Sequence, residues 1–309
     1  MRIVSLLASA TEIVCALGAG NLLVGRSHEC DNPAWVSSLP PCSSPAFDTS
    51  MSSGEIDAEV RRRLRTGEPL YNIHSDIIEA LHPDLLIAQS HCEVCAVTPA
   101  DVDRSDLGAI QRLDLVAATV PDIFDNILRV ARAIDRQQQG VELVARERQR
   151  LDRIRERAAQ YPRKTVVVIE WTDPLFVMSN WGPELVEIAN GEHLLGRMGE
   201  FSTALSAERL RDADPEVIIV APCGFGLQRA LREQEFLERH PWWHQLRAVR
   251  TGNLIFADGN MLFNRSGMTV FRTAELIAEV LHGITFGDKT EGVHWLRAHQ
   301  PSTARLNAS

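Results

Sequence analysis

The sequence predicts an α/β protein: two lobes with mostly parallel sheets, joined by a single long helix. Three observations predict it. Residues 13–25, Ile-Val-Cys-Ala-Leu-Gly-Ala-Gly-Asn-Leu-Leu-Val-Gly, are echoed by residues 184–196, with Gly20 and Gly25 matching Gly191 and Gly196 at one constant offset. His82-Pro83-Asp84 and its aliphatic run Leu85–Ala88 are echoed by Asp214-Pro215-Glu216 and Val217–Val220. Between the halves, a helical pattern runs almost unbroken from Asp122 to Ala159.

The elements follow in order. Residues 3–7 read as a first strand. A helix runs from about Ala10 to Leu17 and is ended by Gly18 and Gly20. Leu22–Val24 is a short second strand. Residues 31–53 are rich in Pro and Ser and read as a loop. Residues 55–65 form an amphipathic helix, broken by Gly67 and Pro69. Asp76–Leu81 is another helix, stopped before His82-Pro83 by the restriction that proline places on its predecessor. Leu85–Ala88 is a buried parallel strand. Leu115–Val120 reads as the last strand of lobe one.

In the helical stretch, Gln137–Gly140 breaks the pattern into two helices. The second, 140–160, is about 30 Å long at ~1.5 Å per residue, enough to bridge two lobes. Val166–Ile169 opens lobe two. Helix 183–190, strand 217–221, strand 254–256 and helix Thr269–Leu281 follow. The expected division is lobe one 1–120, helical spine 121–162, lobe two 163–286 and a loosely held polar tail 287–309.

Hydrophobic residues make up 45% and charged residues 24%, ordinary globular values, so a disordered chain is not expected. The formal net charge of −9 argues against nucleic acid, whose phosphates need clustered Lys and Arg. The Arg-rich runs at 61–63 and 146–157 sit among acids at helical spacing and read as solvated faces. No apolar run approaches the ~18 residues of a membrane span. The first residues lack the apolar core of a signal peptide, so a cytoplasmic protein is expected, or a periplasmic one if a leader was removed.

No motif demands an enzyme. Gly20-Asn-Leu-Leu-Val-Gly25-Arg26-Ser27 nearly spells a phosphate-binding loop, but Arg26 replaces its lysine and the loop follows a helix rather than a strand. No G-x-S-x-G or H-E-x-x-H occurs.

In parallel α/β sheets, ligands meet the loops beyond the strand C-termini. Those loops carry Ala8-Ser9, His28–Asp31 and Ser90–Cys95 in lobe one. In lobe two they carry Trp171–Asp173, Cys223–Gly226 and Asn260–Arg265. His28, Cys30, Cys92 and Cys95 have the spacing of a tetrahedral zinc or iron site, with two alternatives: buried reduced thiols, or a redox pair from Cys92 and Cys95. Cys15 reads as core. Trp171 and Phe263 are the best candidates to flank a flat ligand, and Phe225 is another. Trp242 and Trp243 read as ordinary packing. Asn264 and Arg265 could bond a ligand amide or carboxylate, or tie their loop to the last helix. Ser9 could cap the first helix or donate to ligand. His91 and Gly224 complete the ligand-facing set.

The opening segment Arg2–Leu6 through Ala10-Thr11-Glu12 to Gly25 carries a resemblance. So do the Pro83–Ala88 strand, the single spine, the run Val166–Gly196 and Asn264-Arg265-Ser266-Gly267 before a final helix. Over roughly residues 1–285 the chain resembles the helical-spine substrate-binding proteins of ABC importers for cobalamin, iron–siderophores, haem and metals. It is most similar to the cobalamin-binding proteins, and among these to a leaderless branch. The resemblance implies two Rossmann-like lobes and a non-enzymatic binder holding cobalamin or a related corrinoid between them, with little closure. A zinc, iron, haem or siderophore binder is the alternative. It also implies an acid on each lobe to meet a permease: Glu208 on lobe two and Glu93 on lobe one. The corrin-ligating D-x-H-x-x-G signature is absent, because Gly191 stands where Asp belongs before His193.

Overall fold

A computed structural model describes residues 1–90, Val97, Asp101, Leu107, 110–287 and 289–298. Lobe one runs β1 (Ile3–Ser5), α1 (Ala8–Ala16), β2 (Leu23–Arg26), β3 (Ser43–Pro45), α2 (Ser53–Thr66), β4 (Tyr71–Ile73), α3 (Ser75–Ala80), β5 (Leu85–Gln89) and β6 (Gln111–Leu115). Its main sheet is parallel in the order β2-β1-β5-β6. The aliphatic runs sit in its centre, with every residue of β1 and β5 buried. Helix α2 starts on a capping box between Ser52 and Glu55 and stops at Gly67, whose φ of 71° is the left-handed C-cap that glycine adopts freely.

The last strand of lobe one was expected at Leu115–Val120, but β6 ends at Leu115. The reason is local: Thr119 and Asp122 form a capping box, Pro121 sits in the first turn, and a helix begins at Val120. This helix is α4 (Val120–Ala133). After a turn through Asp135 at φ 55°, α5 (Gln137–Ala158) runs for 22 residues, about 33 Å at ~1.5 Å per residue. The break thus falls just ahead of Gln137. Gly140 is pressed against Ala131, where an added Cβ would lie 2.5 Å from the alanine methyl, so α4 and α5 pack closely near the turn.

Lobe two runs β7 (Lys164–Thr172), β8 (Leu175–Val177), α6 (Gly182–Ile188), β9 (Gly191–His193), α7 (Ala207–Ala213), β10 (Val217–Val220), α8 (Leu227–Glu238), α9 (Arg247–Arg250), β11 (Leu254–Ala257), α10 (Thr269–His282) and β12 (Trp295–Arg297). Its parallel strands take the order β9-β7-β10-β11, matching β2-β1-β5-β6 position for position. The glycine echo is therefore topological: in each half it leads from a helix into the strand that flanks the central one. Two antiparallel additions, β8 on β7 and β12 on β11, set lobe two apart.

The tail expected to be loose after Phe286 is ordered over 289–298. Trp295 is buried, and its indole N–H donates to the Thr290 hydroxyl at 3.0 Å. Thr290 in turn donates its hydroxyl to the buried Glu279 carboxylate of α10 at 2.7 Å. One apolar cluster joins the lobes through the helices, from Ile13 and Val14 of α1 and Leu17 just beyond it, through Ile123 and Ile127 of α4 and Leu151 and Ile154 of α5, to Phe271 and Leu276 of α10. On the spine, Arg150 of α5 grips Glu275 of α10 with two bonds of 2.6 Å. No helix among the described residues is long and apolar enough to cross a membrane.

Candidate functional site

The loops beyond β1, β2, β7, β10 and β11 meet between the lobes, as their parallel strands require. Two polar clusters join the lobes there.

The first centres on Arg265, 6% exposed, on the turn that leads into α10. Its guanidinium lies 3.2 Å from Glu12 of α1 and 2.7 Å from Asp31 beyond β2. It also donates to the Glu29 carbonyl and to the Asn260 side-chain oxygen. Glu12 further accepts from the backbone and hydroxyl of Thr269. Burial pushes the Glu12 carboxyl up, and the Arg265 charge opposes that. Gly267 lets the turn press on α1, since an added Cβ would lie 2.7 Å from the Ser9 Cα.

The second cluster joins lobe one at Ser53 to lobe two at β7 and α8. The Ser53 and Thr172 hydroxyl oxygens are 3.0 Å apart, and both hydroxyls donate to Glu233. The Trp171 indole N–H is shared between the Asp173 carbonyl at 3.0 Å and the Ser53 carbonyl at 3.2 Å. Arg229 donates to the carbonyls of Thr49 and Met51, each at 2.6 Å. Gly54 lies where any side chain would collide with the Asp173 carboxylate. Trp171 and Phe225 form an aromatic wall here, with ring centroids 5.2 Å apart, and the Arg229 guanidinium lies 3.8 Å from the centre of the Phe225 ring.

The predicted site residues divide. Trp171, Phe225 and Gly224 are brought together, with Gly224 exposed in the turn at φ 75°. Phe263 is fully buried in the core cluster rather than set in the cleft. Asn264 ties its own loop, donating to the Gly259 carbonyl at 2.7 Å and the Ala221 carbonyl at 3.3 Å. Arg265 is committed to Glu12 and Asp31. Ser9 is buried beneath Gly267.

His28 sits 2.9 Å from the Ser43 hydroxyl and packs on Tyr71, and burial lowers its pKa to about 4. Cys30 is buried, accepts from the Thr11 hydroxyl at 3.1 Å, and has its thiol pKa raised by that burial. No group of three metal-ligating side chains occurs among the described residues. His91, Cys92, Glu93 and Cys95 lie outside the described residues. Glu208 is exposed in the first turn of α7, where hydrogen bonds from the helix start and Ser206 hold its carboxyl below the usual range.

Sequence reasoning missed Ser53, Arg229 and Glu233. Arg229 carried one signal, its place just after Cys223-Gly-Phe-Gly226, and Ser53 in its Ser-rich loop carried none.

The comparisons with known proteins agree with this architecture. Residues 3–261 match the family described as periplasmic binding protein. A periplasmic haem-binding protein from Pseudomonas aeruginosa is similar at a TM-score of 0.74 and 19% identity, over 97% of this chain and 99% of that one. The periplasmic vitamin B12 binding protein of Vibrio cholerae is similar at 0.65 and 21%, over 91% and 96%. An ABC transporter substrate-binding protein from Listeria monocytogenes is similar at 0.70 and 19%, over 92% and 99%. At these identities the likeness is one of fold. No curated protein matches the sequence. The family supports a binding protein rather than an enzyme. It lends no support to the cytoplasmic expectation, whereas the periplasmic alternative fits it. With its two matching sheets and helical spine, the chain belongs to the periplasmic binding protein family.

Proposed function

We propose that this chain is the solute-binding component of an ABC importer and holds cobalamin or a related corrinoid between its lobes. The observation that carries this reading is the aromatic wall of Trp171 and Phe225 at the strand C-termini, with the Arg229 guanidinium stacked on it. Aromatic faces bury large area against a flat macrocycle, and the adjacent donors suit its polar side arms. The vitamin B12 binder among the similar folds supports a corrinoid. The haem binders support the alternative of haem, which has the same flat shape. A direct zinc or iron site gains nothing from His28 and Cys30, which are engaged elsewhere. Exposed Glu208 is the lobe-two acid for permease contact in this reading, with Glu93 its counterpart.

The test is a titration of purified protein with cyanocobalamin, haemin and a ferric siderophore, followed by absorbance and calorimetry. Saturable one-to-one binding of the cobalamin supports the corrinoid reading. Binding of haemin alone would move the ligand to haem, and binding of none would remove the reading.

A further inference from the structure

Residues 46–54 run from the end of β3 to the start of α2 and cross to the other lobe. Their contacts there are made by the carbonyls of alternate residues, Thr49, Met51 and Ser53. The donors are the charged end of Arg229 and the indole of Trp171, the same side chains that build the aromatic wall. The Ser53 hydroxyl adds a bond of 3.0 Å to Glu233.

The hold on lobe one is slight by comparison. The segment is tethered at one end by Ala46, which donates to the Leu70 carbonyl, and at the other by the Ser52–Glu55 capping box. Between them, the Ser50 N–H donates to the Asp48 carboxylate at 2.8 Å, and the Phe47 ring lies 5.5 Å from the Arg63 guanidinium of α2. Asp48, Thr49 and Ser50 are exposed. Phe225, whose ring carries the Arg229 guanidinium held by these carbonyls, is only 3% exposed.

We infer that residues 46–54 are a strap latched over the aromatic wall, and that ligand reaches the wall only when Arg229, Trp171 and Glu233 let the strap go. The inference rests on reading this wall as the ligand site. A strap with few bonds to its own lobe and charged bonds to the other lifts together with the first turn of α2, in which Ser53 and Gly54 lie, without disturbing either sheet. Lifting it takes both carbonyl acceptors from the Arg229 guanidinium, which becomes a donor for the incoming ligand, and leaves the Trp171 indole N–H with the Asp173 carbonyl alone.

A cross-link tests the inference. The double variant Ser53→Cys with Thr172→Cys, built on Cys223→Ser, places two thiols where the hydroxyls touch. Oxidised and reduced samples are titrated with cyanocobalamin and with haemin. The oxidised form should bind at least about tenfold more weakly than the reduced form, because a covalent bond replaces a latch of a few hydrogen bonds. Equal affinity in the two forms overturns the strap.

If no probe binds either form, the ligand reading fails, and the strap is judged by hydrogen exchange alone. Glu233→Gln combined with Ser53→Ala should then speed exchange across 46–54 by about tenfold or more while β7 and β10 stay protected. Unchanged exchange in the strap overturns it.

Discussion

Ser53 of α2 and Thr172 of β7, 119 residues apart in the chain, stand hydroxyl to hydroxyl at 3.0 Å with Glu233 accepting from both. Neither hydroxyl is exposed, since Ser53 and Thr172 are both buried. The half-buried Glu233 carboxylate takes both of these donors from the inner side. Thr172→Val removes one of them at nearly constant shape. We expect a loss of about 1–3 kcal/mol in stability by denaturant unfolding, with Ser53→Ala adding less than its separate effect, because the two share one acceptor.

Arg265 is the most buried arginine or lysine among the described residues, and Glu12 beside it is more buried still. Arg265→Met leaves Glu12 charged without its partner and should cost about 3–5 kcal/mol. Arg265→Met combined with Glu12→Gln should recover part of that loss. A double variant no more stable than Arg265→Met would show that Asp31 and Asn260, not Glu12, carry the coupling.

Two half-buried groups give opposite slopes of stability with pH. Burial lowers the His193 pKa from 6.5 to about 4. Between those values the unfolded chain binds a proton that the folded chain refuses, so stability falls as pH drops from about 6.5 to 4, by up to about 3 kcal/mol. Burial raises the Glu29 pKa from 4.5 to about 7, with Arg265 opposing and Asp31 assisting. There the folded chain keeps the proton, and its contribution is lost as pH climbs from about 4.5 to 7. His193→Gln should flatten the acid limb of a stability profile, and Glu29→Gln the neutral limb. Identical profiles for variants and parent would refute these assignments.

Trp171→Ala should weaken ligand binding by about tenfold or more in the same optical titration, since aromatic anchors dominate buried contacts. Phe263→Leu should leave affinity within a factor of about two while lowering stability by ~1 kcal/mol, because Phe263 packs in the core. The reverse pattern would return Phe263 to the cleft.

Much of this architecture could be read from residue order alone. Leu22–Val24 and the two Pro-acid-aliphatic runs locate β2, β5 and β10, because local propensity and burial agree there, whereas β9 carries no strand pattern of its own. Strand β6 was misplaced because Leu115–Val120 looks extended until the Thr119–Asp122 cap is weighed. The site was harder to read. Trp171 and Phe225 could be found from their place after strands. Phe263 could not be assigned, because the tight turn at Gly259–Phe263 rotates its ring inward. Ser53, Arg229 and Glu233 meet only through tertiary folding, and no spacing encodes contacts between segments so distant. The charge at Arg265 looked suited to a ligand because its partners Glu12 and Asp31 lie more than two hundred residues away.

The carbonyl contacts of Thr49 and Met51 bear on how this segment can change over generations. A main-chain oxygen is the same in every residue type, so Arg229 imposes no chemical identity at either position. Replacements there should be accepted if the backbone keeps its path. An insertion or deletion of one residue is a different matter, because it moves every following carbonyl off its donor. Drift along this stretch is thus free in composition and restricted in length.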